Sequence, residues 1–175
     1  MKKAIVTIKT KGILLRPFRK SDLESIVKHI NDKTIAARTN AIPYPYTMKH
    51  AERWYRMIRN RARRKGSLTK EFAIEIDGEA VGCVAIYPKG HRAEIGYWLG
   101  RAYWGKGIMT EVVKTITKYG FNELGLRRMH ASTFRNSKAS MRVLEKAGYK
   151  FEGILRKNIK KGDKLIDEYL FARVR

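Results

Sequence analysis

The sequence predicts one α/β domain in which helices cover a mixed β-sheet. The chain has 175 residues, and a single domain typically holds about 100–200 residues. Hydrophobic residues make up 43% of the chain, which is enough to build a buried core. Segments with helical periodicity alternate with β-rich segments, and an antiparallel hairpin signal lies among them. We therefore assign residues 1–175 to a single domain with a mixed sheet.

Two helices are predicted in the N-terminal half, after a strand at residues 13–16 that Pro17 closes. Residues 21–24 (SDLE) have the composition of a capping box, which would begin the first helix. The apolar stripe of that helix is formed by Leu23, Ile26, Val27 and Ile30. A loop containing Pro45 follows, and Thr47 is the predicted cap of the second helix. The apolar face of the second helix comprises Ala51, Trp54, Tyr55 and Ile58.

The remaining elements contain the hairpin and a second long amphipathic helix. Asp77-Gly78 separates two β-rich runs, residues 72–76 and 80–86, and this pair of residues is a strong hairpin signal. A strand at 94–99 and a helix at about 107–124 follow, with Gly125 as the C′ residue of the helix. The last predicted elements are a strand at 129–134, a helix at 137–147 ending at Gly148, and two strands at 149–155 and 166–174 joined near Gly162-Asp163.

The segment between the strand at 94–99 and the long helix carries the clearest functional signal. Gly105 and Gly107 lie two residues apart at the start of the helix, and glycine permits positive φ and close backbone approach. The N-terminus of a helix exposes unpaired N–H groups and a partial positive charge, so the segment could cradle a pyrophosphate. The same residues would also form a strand-to-helix turn without a ligand.

The sequence does not contain the other common nucleotide-binding motifs or a nucleophilic cysteine site. The segment does not contain a Walker sequence, and the dinucleotide pattern G-x-G-x-x-G fails at Thr110. The single cysteine, Cys83, has no Cys-His-Asn arrangement and is expected to be a buried strand residue. No set of metal ligands is evident among the 4 histidines, so no metal cofactor is expected.

The glycine segment resembles the acetyl-CoA loop of the GNAT superfamily of N-acetyltransferases, [Q/R]-x-x-G-x-[G/A]. Gly105 and Gly107 match its last two conserved positions, whereas Ala102 stands at the first. The rest of the chain is similar to the branch that acetylates the N-termini of ribosomal proteins. Residues 94–99 (EIGYWL) resemble its strand before the loop, and residues 136–153 resemble its N-x-x-x-S…E-K-x-G-[FY]…E-G block.

This resemblance implies a GNAT fold: a mostly antiparallel sheet of about seven strands, flanked by about four helices, with two splayed central strands. It implies acetyl-CoA as the cofactor. The residues it assigns to acetyl-CoA are Trp98, Leu99, Gly100, Trp104, Gly105, Lys106, Gly107, Ile108, Met109, Thr110 and Asn136. The Asn136 side chain would hold the pantetheine arm, although asparagine is also among the best helix N-caps.

The resemblance also implies that the acceptor amine attacks the thioester directly in a ternary complex. Glu94 is the candidate base, because a carboxylate that is buried there would accept a proton directly or through water. It could equally be an exposed glutamate that pairs with Arg92. Ser140 matches the general acid proposed for this branch, and the alternative is a serine on a helix surface.

The resemblance implies the N-terminal α-amine of a protein as the acceptor, and a small-molecule amine (a polyamine, an amino acid or an aminoglycoside) is the alternative. The formal charge of +23 disfavours cationic acceptors and favours an acidic protein, a ribosome or RNA. The basic run at residues 53–65 would make that contact through Arg53, Arg56, Arg59, Arg61, Arg63, Arg64 and Lys65. A nucleic-acid-binding module on the same fold is a less favoured reading, because no RNA-recognition signature is present.

A cytoplasmic protein without membrane contact is expected. One cysteine cannot form an internal disulfide framework. No apolar run approaches the roughly 20 residues of a membrane span. The N-terminal segment begins like a signal peptide, but Lys9 and Lys11 interrupt the region where its apolar core would lie.

Overall fold

A computed structural model describes residues 6–64 and 66–175 of the chain. Within them, eight strands form one sheet in the order β1-β2-β3-β4-β5-β6-β8-β7. The β5–β6 pair is parallel, and the other described pairs are antiparallel. The strands are β1 (Ile8–Thr10), β2 (Ile13–Pro17), β3 (Lys70–Ile76), β4 (Glu79–Lys89), β5 (Arg92–Leu99), β6 (Arg128–Phe134), β7 (Lys150–Lys161) and β8 (Lys164–Val174).

Helices cover both faces of the sheet. They are α1 (Leu23–Ile30), α2 (Lys33–Ala37), α3 (Met48–Arg63), α4 (Ile108–Asn122) and α5 (Lys138–Lys146). The neighbouring β4 residues Cys83 and Val84 belong to different core clusters, as expected for side chains that alternate between the two faces of a strand. The Val84 face packs against α4 and α5, and the Cys83 face packs against α1, α2 and α3. Among the described residues, no helix has the length and apolar character needed to cross a membrane.

The predicted α/β class and the predicted hairpin are confirmed. Asp77 and Gly78 connect β3 to β4 with φ angles of 51° and 81°, the two positive values that a type I′ turn requires. The long helix is closed as expected near Gly125, which has a φ of 64°. The Leu126 N–H donates to Gly120 O at 3.1 Å across this glycine.

The predicted capping box at residues 21–24 is wrong. A short 3₁₀ turn, Lys20–Asp22, precedes α1, and Asp22 is the N-cap residue without a side-chain cap bond. The Asp22 carboxylate instead accepts two hydrogen bonds of 2.8 Å from the guanidinium of Arg16. The same carboxylate accepts from the Arg19 N–H at 2.7 Å, so Asp22 both closes the 3₁₀ turn and pairs with Arg16, which is only 3% exposed.

The sequence pattern did not predict two short elements, one strand and one helix. Within the described residues there are therefore eight strands and five helices, where about seven and about four were expected. Strand β1 has 3 residues and α2 has 5, too few to display a period. Asp32 caps α2 by accepting from the N–H groups of Thr34 and Ile35. Strand β7 also extends beyond the predicted residue 155 to Lys161. Residues 1–5 and Lys65, which the sequence predictions included, lie outside the described residues.

The β5–β6 contact positions the functional site. Its register covers Arg92–Glu94 against Arg128–His130. Beyond Glu94, β5 continues to Leu99 and stays paired with β4. In the described part of the chain, residues 95–99 therefore have no β6 partner, and their outer edge faces an opening. This interruption corresponds to the splay that the sequence resemblance implied.

Candidate active site

A cleft of about 390 Å³ lies at this opening. Its walls come from the end of β5, the glycine segment, the first turn of α4, the length of α5 and the end of α2. The lining residues are Ile35, Arg38, Thr39, Tyr97, Trp98, Leu99, Tyr103, Trp104, Gly105, Gly107, Ile108, Met109, Thr110, Ser137, Lys138, Ala139, Ser140, Arg142, Val143 and Lys146. Most of the residues that the sequence assigned to cofactor binding therefore lie in one cleft.

The glycine segment presents helix N–H groups to this cleft. Gly105 and Gly107 have φ angles of 76° and 75°, and Gly107 is the N-cap residue of α4. An added Cβ at either glycine would meet nothing within 4 Å, so their backbone conformation, rather than crowding by protein atoms, requires glycine. The indole Nε1 of Trp104 donates to Leu99 O at 2.7 Å and fastens the segment to the end of β5.

Three of the predicted cofactor residues do not line the cleft. Gly100 packs behind it, where an added Cβ would lie 3.0 Å from the His29 ring. The ammonium of Lys106 lies 5.5 Å from the centroid of the Tyr103 ring. Asn136 is exposed, and the N-cap residue of α5 is its neighbour Ser137.

Ser137 is a cleft residue to which no ligand contact was assigned from the sequence. It is 2% exposed, and its Oγ has no hydrogen-bond partner among the described residues. A buried hydroxyl without a partner is costly in a closed core. At a cleft wall it can instead bond to a polar ligand, so Ser137 fits a ligand with amide or phosphate groups.

Cations line the α5 side of the cleft. Lys138, Arg142 and Lys146 recur every four residues, so they share one face of the helix. Arg38 adds a fourth positive charge from the end of α2, with its guanidinium carbon 5.4 Å from the Trp104 ring centroid. Together with the N-terminus of α4, these side chains make an environment for an anionic ligand. This stripe was not predicted from the sequence, although its four-residue spacing is present there.

Ser140 lies in the cleft and contacts a tyrosine that the sequence analysis did not consider. The hydroxyl groups of Ser140 and Tyr97 are 2.8 Å apart. Burial raises the pKa of the Tyr97 phenol, and the hydrogen bond to Ser140 offsets only part of this effect. The phenol is therefore protonated at neutral pH.

Glu94 lies away from this cleft. It is exposed, and it is three residues before Tyr97, so the two side chains point to opposite faces of the sheet. The neighbours of Glu94 in register are Tyr87 on β4 and His130 on β6. Burial and then the cations Arg128 and Arg92 lower the pKa of His130. The burial that would make Glu94 a better base is not observed, so any base role rests on contact with water and the acceptor.

Cys83 is buried on β4, as the sequence predicted, and burial strongly raises the pKa of its thiol. A protonated, inaccessible thiol is not a nucleophile. In the part of the chain that the structure describes, no group of three or more His, Cys, Asp or Glu residues is arranged to hold a metal ion.

The acetyltransferase (GNAT) domain matches residues 13–150 of this sequence. The chain belongs to the GNAT family of acetyltransferases. An uncharacterized N-acetyltransferase p20 of Bacillus licheniformis is 31% identical over 171 residues, which cover 95% of this chain and 94% of that protein. The ribosomal-protein-serine acetyltransferase of Escherichia coli (strain K12) is 29% identical over 108 residues, or 60% of each chain.

A solved structure similar to this chain contains a derivative of coenzyme A. RimJ of Mycobacterium smegmatis, solved in complex with CoA-disulfide, has a TM-score of 0.81 and 25% identity to this chain, and the match covers 93% of this chain and 81% of that one. The protein described here is thus an N-acetyltransferase with the GNAT fold.

Proposed function

We propose that this GNAT protein transfers the acetyl group of acetyl-CoA to the N-terminal α-amine of a protein, by direct attack in a ternary complex. The observation that carries the proposal is the cleft itself. It combines helix N–H groups at Gly107, a cationic stripe on α5 and a serine hydroxyl at Ser140 in one space. Acetyl-CoA is an extended, anionic thioester, and these groups would contact successive parts of it.

The residues present fit acetyl-CoA. The first turn of α4 and the α5 stripe would hold the phosphates, because both supply positive charge to the same wall. The Ser137 hydroxyl and the edge of β5 at residues 97–99, which has no β6 partner among the described residues, would bond to the amides of the pantetheine arm. When bound, acetyl-CoA supplies an activated acyl group. The protein residues position that group beside Ser140.

The two candidate catalytic residues lie on opposite faces of the sheet, and each would act on a different reacting group, one on the leaving sulfur and one on the attacking amine. Ser140 is on the cleft face and would donate a hydrogen bond to the departing sulfur. Glu94 is on the other face, at the last position where β5 pairs with β6, and would accept the amine proton through water. An α-amine has a pKa of about 7.7–8.0, so a substantial part of it is already neutral near pH 7.5 and needs only a weak base.

A protein N-terminus is favoured over a small cationic amine by the charge of the molecule and by one relative. The net charge of +23 repels polyamines and aminoglycosides. The E. coli relative is a ribosomal-protein-serine acetyltransferase. An amino acid or another small amine stays the second candidate acceptor. The proposal keeps the cytoplasmic location predicted from the sequence.

The basic run on α3 is the proposed contact for an acidic protein or a ribosomal particle. Arg53, Arg56, Arg59, Arg63 and Arg64 are exposed. Arg61 differs from them, because it pairs with the buried carboxylate of Glu71 and lies 5.7 Å from the Tyr87 ring centroid. Arg61 is therefore half-buried and engaged in an ion pair, so the proposed contact rests on the exposed arginines.

The test measures binding first and transfer second. Acetyl-CoA should raise the melting temperature, since a ligand that binds only the folded state stabilises it. Peptides with acidic, neutral and basic N-terminal segments, each with a free or a blocked α-amine, are then incubated with the protein and acetyl-CoA and analysed by mass spectrometry. We expect acetylation of free α-amines, fastest on acidic peptides. Acetyl-CoA binding with transfer only to small amines would favour the second candidate. Salt-sensitive RNA binding without any transfer would contradict the enzyme proposal.

A further inference from the structure

The Tyr97–Ser140 contact joins two hydroxyl groups at the point where β5 leaves β6. Tyr97 lies on the part of β5 that has no described β6 partner, and Ser140 lies in the first turn of α5. Both residues line the cleft. Among the described residues, Tyr97 is the hydrogen-bond partner recorded for Ser140 Oγ, at 2.8 Å. The direction of that bond decides where the serine proton points.

The geometry allows either hydroxyl to donate, and Ser140 O lies 3.4 Å from the Tyr97 phenol oxygen as a second, longer acceptor. The relative acidity of the two groups favours Tyr97 as the donor to Ser140 Oγ. A phenol, with a pKa of about 10, is a much stronger acid than an alcohol, so it is the better donor, and the alcohol oxygen is the better acceptor. Burial raises the pKa of the Tyr97 phenol, which keeps its proton in place at neutral pH. If Tyr97 donates to Ser140, the serine proton must find another acceptor, and the open direction is the cleft.

The core of the same protein contains a similar pair, a tyrosine next to an aliphatic hydroxyl, in which the hydroxyl also has an acceptor for its own proton. Tyr149 Oη is 2.8 Å from Thr117 Oγ1, and the Thr117 hydroxyl donates to Val113 O at 2.6 Å. Since the threonine proton is used in the second bond, Tyr149 must be the donor in the first. The fold therefore already uses a tyrosine to direct the proton of a neighbouring hydroxyl toward a third atom.

We propose that Tyr97 is a positioning residue, whose O–H donates to Ser140 Oγ and thereby turns the serine proton into the cleft, toward the sulfur of the departing CoA thiolate. This inference rests on the proposed function. The proton count closes without an added acid: the amine loses one proton on acylation, and the sulfur gains one as the C–S bond breaks. The serine proton moves to the sulfur, and the amine proton passes through water to Glu94. A solvent proton then restores the serine as Glu94 returns its proton to solvent.

The first test needs no acceptor. The affinities of CoA and desulfo-CoA are measured by calorimetry between pH 7 and pH 9.5, a range that crosses the pKa of a thiol at about 8.5. A serine proton aimed at the sulfur favours the thiolate, so the affinity for CoA relative to desulfo-CoA should rise about tenfold over this range. Tyr97→Phe and Ser140→Ala should each reduce that rise to about twofold or less.

Tyr149→Phe is the matched control, because it removes the same type of hydrogen bond at the same distance outside the cleft. It should lower the melting temperature and leave the pH-dependent preference for CoA intact. The proposal is overturned if Tyr97→Phe retains the wild-type preference, or if the wild-type protein has none. Equal losses in Tyr97→Phe and Tyr149→Phe would show a general loss of packing and would also overturn it.

The second test is a kinetic double-mutant cycle on the best acetylated peptide. Tyr97→Phe should lower kcat about fivefold with little change in the KM for acetyl-CoA, and should have almost no effect when Ser140 is already alanine. Additive losses would show that Tyr97 acts independently of Ser140. A protein that shows the thiolate preference but acetylates no amine would refute the proposed function while the assignment of Tyr97 stands.

Discussion

The two sides of the sheet obtain their functional groups in different ways. On the cleft side, residues 97–110 form one continuous segment that contributes half of the lining residues and acts largely through its backbone. On the α3 side, the groups that matter are single charged side chains from separate elements, such as Arg61 on α3, Glu71 on β3 and Glu94 on β5. A backbone cradle leaves a local sequence signature, whereas a set of side chains gathered by the fold does not.

The largest expected effect falls on the α3 side. Glu94→Gln should lower kcat about 100-fold at pH 7, the usual range for loss of a general base. The deficit should shrink as the pH rises above about 8, because the α-amine then becomes neutral without help. Initial rates across a pH series measure this. A deficit of less than about threefold at all pH values would mean that Glu94 is a surface residue and that water alone accepts the amine proton.

The next prediction concerns stability on the same side. Arg61→Ala should cost about 2 kcal/mol of unfolding free energy, because it leaves the buried Glu71 carboxylate without its cation. Arg63→Ala is the control, since Arg63 is exposed near the same end of α3, and it should cost less than about 0.5 kcal/mol. Urea titrations of both variants provide the comparison. If both variants lose a similarly small amount of unfolding free energy, Arg61 is a solvated cation like Arg63 and its ion pair does not stabilise the fold.

Sequence reasoning succeeded where a feature is local. The type I′ turn at Asp77-Gly78 and the glycine pair at the start of α4 are each set by neighbouring residues. It failed at the start of α1, which follows a turn closed by Asp22 and not the predicted capping box at residues 21–24; the same carboxylate also pairs with the buried Arg16. The contact between Tyr97 and Ser140 joins residues 43 positions apart, so no periodicity could have revealed it. Periodicity also could not show that Asn136 lies outside the cleft and Ser137 within it, because this depends on how the start of α5 packs against the rest of the fold.

The cleft side is tested by Gly107→Asp. Aspartate would place a carboxylate at the helix N-terminus that should face the pyrophosphate, and should weaken acetyl-CoA binding at least about tenfold. Gly78→Asp is the matched control, because Gly78 also has a positive φ, 81°, with nothing within 4 Å of an added Cβ. Calorimetry on both folded variants separates backbone strain from loss of the cradle. Normal binding by Gly107→Asp would show that the cradle is not used.

The smallest expected effect tests whether the exposed α3 cations contact the acceptor. Replacing Arg53, Arg56 and Arg63 together with glutamine should lower kcat/KM for an acidic peptide about threefold to fivefold at low salt, with little change for a neutral peptide. The difference should disappear near 1 M salt, where the Debye length falls to about 3 Å from about 10 Å at 0.1 M.

A second triple variant changes the net charge by the same amount elsewhere. Lys150, Lys157 and Lys160 are exposed on β7, at the edge of the sheet. If α3 makes a specific contact, their replacement with glutamine should affect acidic peptides less than the α3 variant does. Equal effects would mean that the acceptor responds to the overall field of the protein and not to α3. In that case the cations on α3 and on β7 would both attract the acceptor through long-range charge alone. The cleft side would then be the only side with a defined binding surface, the proposed one for acetyl-CoA.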